Sequence, residues 1–170
     1  MAKREPTSLA MSTRVLFVCM GNICRSPTAE AVFRHCVSAA GLDKVVHCDS
    51  AGTHDYHVGE PPDARSIAAA KRRGYDMTAL RARQVSADDF SNFDYVLAMD
   101  RQNLRFLQRL QPHGAPAQLM LYGDLHAEMA GQDVPDPYYG GADGFERVLD
   151  MAEGVSVSLL ARIRSSGSPR

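Results

Sequence analysis

No stretch of this 170-residue sequence approaches the roughly 20 consecutive apolar residues that a membrane helix needs, so no membrane insertion is expected. Neither sign of charge dominates, because 19 Lys and Arg meet 20 Asp and Glu for a formal net charge of −1. That balance excludes a uniformly basic nucleic-acid binder and leaves only a local basic patch open. Cysteines number four, too few for a disulfide-stapled miniprotein of this length. The segment MAKREPTSLA has no apolar core, so it does not read as a secretory signal. A soluble, cytoplasmic and monomeric protein is expected. In such a protein thiols stay reduced, and a conspicuous cysteine is catalytic, metal-binding or inert.

What is present is ordinary for a globular chain, with 45% hydrophobic and 23% charged residues. The length fits one domain. Residues 1–12 read as a disordered arm, 13–165 as the domain and 166–170 as a frayed tail, with no repeat or interdomain linker.

The run Arg14–Val18 is apolar and β-branched and reads as a buried strand. Ser26 and Pro27 read as the cap and first residue of a helix whose apolar stripe includes Val32, Phe33 and Val37. Further strands are expected at Val45–Cys48, Tyr95–Met99 and Gln118–Tyr122. Helices are expected near 63–73 and 101–110, and a last one is capped by Asp143 with Glu146 in the capping-box position. Strands alternating with helices predict an α/β fold with a parallel sheet covered on both faces, a three-layer sandwich. Ligands of such sheets collect beyond the carboxyl ends of the strands, which directs attention to the residues after Val18, Gly52, Met99 and Tyr122.

The first of these loops is Cys19-Met20-Gly21-Asn22-Ile23-Cys24-Arg25-Ser26-Pro27. Gly21 and Asn22 tolerate positive φ, which lets successive backbone N–H groups turn inward toward an anion at a helix N-terminus. Arg25 adds a planar fork that matches two phosphoryl oxygens. The same field favours the thiolate of Cys19, and the Ser26 hydroxyl is placed to hydrogen-bond it. A lone cysteine ending a strand is commonly a buried small hydrophobe. A nucleophile and an oxyanion cradle on one loop argue instead for displacement at phosphorus through a covalent intermediate.

Four blocks in order make the sequence similar to the low-molecular-weight protein tyrosine phosphatases: residues 15–33, Asp49–Thr53, Asp94–Asp100 and Val134–Gly140. The resemblance spans about Arg14 to Arg164. It implies a four-stranded parallel sheet in the order 2-1-3-4, with a phosphate-binding loop after strand 1. It implies Cys19 as nucleophile, Arg25 as phosphate clamp and Ser26 as support for the thiolate. Asn22 holds the loop's shape, within a loop that also includes Met20, Gly21, Ile23 and Cys24. Asp136, stiffened between Pro135 and Pro137, matches the family's general acid. Tyr138, Tyr139, Tyr56 and His57 are expected to wall the rim against a planar phenol ring.

The same resemblance makes Cys24 a redox partner of Cys19, and it makes Ile23, where phosphoarginine-selective members tend to carry threonine, a pointer to phosphotyrosine. One departure stands out: Leu80 occupies a position where many members carry a histidine that braces the loop against the residue matched by Glu30. No cofactor or metal is expected, since His54, Asp55 and His57 lack a compact ligand set. Expected partners are a phosphotyrosine protein or small aryl phosphate, with inorganic phosphate and vanadate as inhibitors and no nucleic acid. An arsenate reductase on the same scaffold needs later resolving cysteines, and none follows Cys48. Phosphate-binding modules and flavin carriers have no use for the combination of Cys19, Arg25 and Asp136.

Overall fold

The computed structural model describes residues 12–166. Apart from Ser12 and Ser166, the arm and tail expected at the two ends lie outside those residues. The order of elements is β1 (Thr13–Cys19), α1 (Arg25–Ala39), β2 (Val46–Gly52), α2 (Ala64–Arg72), α3 (Asp89–Asn92), β3 (Tyr95–Ala98), α4 (Arg101–Leu110), β4 (Gln118–Leu121) and α5 (Ala142–Ser166). Two short 3-10 turns, Tyr122–Leu125 and Ala127–Met129, follow β4.

All four strands are parallel, in the order β2-β1-β3-β4. β1 is therefore internal, with a neighbour on each side. Its alternating side chains divide the core. Val15, Phe17 and Cys19 join Phe33 of α1 and Val148 and Leu159 of α5 on one face. Leu16 and Val18 join Phe90, Phe93 and Leu107 on the other, under α3 and α4. A third cluster packs α2 against α1 and α5 through Ala69, Ala70, Val32, Phe145 and Leu149, and it includes Ile23 and Cys24 of the first loop. The result is three layers, with helices on both faces of the sheet.

Parallel register sets Cys19 directly opposite Gly52. A Cβ at Gly52 would stand 2.6 Å from the carbonyl oxygen of Met20. Glycine is what lets the end of β2 pass against the first loop.

Local readings shift at three points. β2 runs four residues beyond the stretch read as a strand, through Asp49-Ser50-Ala51-Gly52. α1 begins at Arg25, so Pro27 is its third residue and the Ser26 hydroxyl makes no cap. Pro27 still lies in the first turn, where its missing N–H breaks no helical bond. The capping box at Asp143 does not form: Asp143 lies inside α5, and Glu146 is taken by Arg72 and Arg73 at 2.9 and 2.8 Å.

Phe17 is 1% exposed and meets Phe33 and Tyr122 edge-on, with ring centroids 5.7 and 5.8 Å away. Phe17→Ala should lower unfolding stability by about 3–5 kcal/mol in urea titrations. A loss below about 1 kcal/mol would mean that the layer between β1 and α1 repacks freely.

Candidate active site

β1 ends at Cys19 and α1 starts at Arg25, so five residues must reverse the chain between a buried strand and a buried helix. Asn22 makes the reversal. At φ 58° it is the one non-glycine residue with positive φ among the described residues. Such a conformation persists only when its surroundings over-determine it. The Asn22 side chain donates to Ser26 Oγ at 2.8 Å and to Ser50 Oγ at 2.9 Å, and it accepts from the Arg83 backbone N–H at 3.0 Å. Ser50 in turn donates to Glu30 Oε1 at 2.7 Å, and Arg34 donates to Glu30 Oε2 at 2.6 Å.

This network shows how the loop is supported without a histidine near residue 80. Leu80 packs at the edge of the α2 cluster beside Ile67 and Tyr75. The oxygen of Asn22 is served by a backbone N–H, which any residue but proline supplies at position 83. The second oxygen of Glu30 is served by Arg34 from the next turn of α1.

Around the thiol, Ser26 Oγ lies 3.0 Å from Cys19 Sγ, and the Asn22 backbone N–H donates to the sulfur at 3.3 Å. Arg25 is 2% exposed. Its Nη1 donates to Asp100 Oδ2 at 2.6 Å and to the Val134 carbonyl at 3.0 Å, while Nη2 lies 3.8 Å from Asp136 Oδ2. Burial opposes the charge on Arg25, but Cys19, Asp100 and Asp136 outweigh it and hold the guanidinium above its ordinary value. Asp100 also caps α4, accepting the Asn103 N–H at 2.7 Å.

A cleft of about 180 Å³ opens over this group, lined by Cys19, Met20, Gly21, Ile23, Cys24, Arg25, Tyr56, His57, Asp136, Tyr138 and Tyr139. Asn22 and Ser26 form the layer beneath it. Asp136 accepts the Tyr138 N–H at 3.0 Å, and the Tyr138 and Tyr139 rings meet edge-on at 4.9 Å. On the opposite wall Tyr56 stacks on His54 at 5.0 Å, and His57 Nδ1 pairs with Glu60 at 2.9 Å. The Cys24 thiol is pushed up to about 12 by burial, as is that of Cys48. Cys36 and Cys48 pack against the core on the α1 side of the sheet.

Three residues of this arrangement carry no assigned role in the sequence reading: Asp100, Ser50 and Arg34. Asp100 and Ser50 stand at the carboxyl ends of β3 and β2, so position alone could have marked them. Arg34 carries only an i,i+4 relation to Glu30.

The family model for low molecular weight phosphotyrosine protein phosphatase matches residues 14–168. A low molecular weight phosphotyrosine protein phosphatase of Schizosaccharomyces pombe is 49% identical over 138 residues, covering 81% of this chain and 88% of the relative. A crystal structure of a protein tyrosine phosphatase from Entamoeba histolytica, with Hepes in its active site, superposes with a TM-score of 0.87 at 40% identity, covering 91% of this chain and 99% of that one. A Drosophila arginine phosphatase superposes with a TM-score of 0.81 at 34% identity, over 87% and 96% of the two chains.

The buried Glu30 generates a pH prediction. Burial raises it above its ordinary 4.5, against the opposing pull of Ser50 and Arg34. Over the range just above 4.5 the native state keeps a proton that the unfolded chain has lost, so this group makes stability fall as pH rises. Glu30→Gln removes that slope. The urea midpoint of the wild type should drop relative to the variant between pH 4.5 and neutrality; a constant offset would show that Glu30 titrates in the fold as it does in water.

Proposed function

The chain belongs to the low molecular weight phosphotyrosine protein phosphatase family, whose members are cysteine-dependent hydrolases, and from that premise we propose that it hydrolyses phosphotyrosine and small aryl phosphates through a phosphocysteine. The thiolate of Cys19 attacks phosphorus in line with the phenolic oxygen. Arg25 grips two of the phosphoryl oxygens, and the amides of the loop and first helical turn receive the remaining charge. Asp136 protonates the departing oxygen and then takes a proton from the water that cleaves the phosphocysteine. Ser26 stabilises the sulfur when it leaves. Tyr56, His57, Tyr138 and Tyr139 hold the ring of the substrate. The mechanism uses no cofactor, and inorganic phosphate and vanadate compete for the same cradle.

One observation carries this reading: Cys19, Arg25 and Asp136, from two loops more than 100 residues apart in sequence, face one cleft. Ile23 lines that cleft as well, and its apolar side chain favours phosphotyrosine over phosphoarginine. Phosphate release from the two compounds measures that preference directly, and a higher kcat/KM on phosphoarginine would overturn it.

Hydrolysis of para-nitrophenyl phosphate should persist in EDTA, be blocked by vanadate and vanish in Cys19→Ser. Activity surviving that substitution would sink the mechanism. Asp136→Ala should still bind phosphate and lose about 10²–10⁴-fold in turnover; near-normal turnover would place the acid elsewhere.

Cys24 is proposed as the resolving thiol after oxidation of Cys19. Its thiolate attacks the Cys19 sulfenic acid, forming the disulfide and releasing hydroxide. Because the Cys24 thiol sits near 12, its thiolate fraction grows about tenfold per pH unit at neutrality. Closure of the disulfide after peroxide treatment, followed by mass spectrometry, should accelerate about tenfold per unit between pH 7 and 9. A pH-independent rate, or peroxide inactivation of Cys24→Ser that dithiothreitol still reverses, would remove Cys24 from this role.

A further inference from the structure

Arg65 lies outside the groups used so far. It sits in the first turn of α2, half-exposed, one helix away from the thiol. Three sets of contacts give it a place between the two halves of the site. The Asp63 backbone N–H donates to the carbonyl of Ile23 at 2.9 Å, which pins the start of α2 to the Cys19 loop. The Asp63 carboxylate, 12% exposed, takes Arg65 in a two-pronged grip, with Nε at 3.0 Å from Oδ1 and Nη2 at 2.9 Å from Oδ2. Each partner moves the other: the hydrogen bond from Arg65 holds Asp63 below its ordinary range, and Asp63 raises Arg65.

Held in that plane, the guanidinium lies over two rings, 5.3 Å from the centroid of Tyr138 and 4.8 Å from that of Phe145. Phe145 is buried in the α2–α5 cluster, which anchors that side of the stack. Tyr138 belongs to the loop of Asp136, and its N–H is the one that Asp136 accepts.

The loop that carries Asp136 is thus tied on both sides of the carboxylate. Upstream, Val134 is held by Arg25 and by its own N–H to the Met99 carbonyl at 2.8 Å. Downstream, Pro137 is buried against Gly144 of α5, and beyond it, where Gly140 and Gly141 give the chain freedom, the stack of Tyr138 on Arg65 ties the loop to α2. A planar cation locked by a carboxylate is suited to this, because it presents a flat face to a ring at a fixed tilt.

We propose that Arg65 is a positioning residue, coupling the Asp136 loop to the Cys19 loop so that the acid stands at the leaving oxygen. The proposal deepens the mechanism above and rests on Asp136 as the acid. It differs from two other roles for the same side chain. A residue that merely joined α2 to α5 would change stability and affect all substrates alike. One that bound acidic residues of a phosphoprotein would change KM on peptides and leave aryl phosphates untouched.

The test is kcat/KM of the full chain on a series of aryl phosphates, from the acidic leaving group 2,4-dinitrophenol to phenol. A displaced acid matters most where the leaving group most needs a proton. Arg65→Gln should lose about tenfold or more on phenyl phosphate and less than about twofold on 2,4-dinitrophenyl phosphate. Inhibition by inorganic phosphate should stay unchanged. Arg65→Lys should behave like Arg65→Gln, because an ammonium keeps the charge but not the planar fork. Tyr138→Leu, which removes the ring and keeps the N–H to Asp136, should show the same steepening from 2,4-dinitrophenyl to phenyl phosphate on top of a uniform loss from the missing ring wall, and its slope carries the test if Arg65→Gln does not fold. Equal loss across the series, or no loss, overturns the proposal. Asp136→Ala run beside them separates the two failures. If it shows the steep dependence and the Arg65 variants do not, only Arg65 is misassigned. If it shows none, the acid is misassigned and the proposal falls with it.

Discussion

The site is organised around a buried cation. Arg25 is 2% exposed, and a guanidinium in that position is tolerable only with partners that satisfy its charge and its N–H groups. Those partners come from three places: Asp100 at the end of β3, the carbonyl of Val134, and Asp136 beyond it. One side chain therefore fixes the distance between the sheet, the first helix and the loop across the cleft. Removing a partner would leave charge buried and uncompensated, which is why these segments can be expected to hold position even though the loop itself is rich in proline and glycine. In the proposed mechanism an arriving phosphoryl dianion adds to the charge already facing Arg25. It does not have to draw the arginine in from solvent, and this is pre-organisation in the electrostatic sense.

Beneath the cation lies a second set of polar contacts with a different task. Asn22 is held at φ 58° by three hydrogen bonds, and the chain from Asn22 through Ser50 to Glu30 and Arg34 runs from the loop to the surface of α1. The inner members are buried, so each depends on the next for satisfaction. The conformation that places an amide against Cys19 Sγ is not a local preference of the five loop residues. It is imposed by β2 and α1, and it survives with leucine at position 80 because none of its bonds requires a side chain there.

The architecture was legible in the sequence wherever one periodicity ruled. Apolar runs marked the strands, and α4 spans Arg101–Leu110, the range read for it. Misreadings fall where a polar residue serves something distant. β2 looked finished at Cys48 because Asp49 and Ser50 interrupt the apolar pattern; Ser50 points at Asn22 and Glu30 rather than at the core. Ser26 has the composition of a helix cap, yet its hydroxyl is spent on Cys19 and Asn22. Glu146 has the spacing of a capping box, but Arg72 at the end of α2 and Arg73 just beyond it take it. α3 is four residues long and leaves no period to detect. For the site, the Cys19 loop was readable because its residues are contiguous and each has a local reason. Asp100 falls just after Met99, where the sheet directs attention, but its pairing with Arg25 spans 75 residues and nothing local names that partner.

The two ends of the proposed chemistry are built to different degrees of rigidity. Cys19 is 2% exposed at the end of an internal strand, with fixed donors around its sulfur. The nucleophile proposed at Cys19 gains from that, since its approach to phosphorus tolerates little error. The Asp136 carboxylate is 37% exposed and lies on a connecting segment. The acid proposed at Asp136 must meet a leaving oxygen and later a water, so it cannot be sealed in the core. It has to stay in contact with solvent while keeping its direction. Pro135 and Pro137 restrict the backbone on either side of it, and the aromatic and cationic contacts at Tyr138 restrict the exit. Precision at the nucleophile is inherited from the sheet. At the acid it has to be assembled from contacts at the rim, and that is where substitutions far from the sulfur should be felt most.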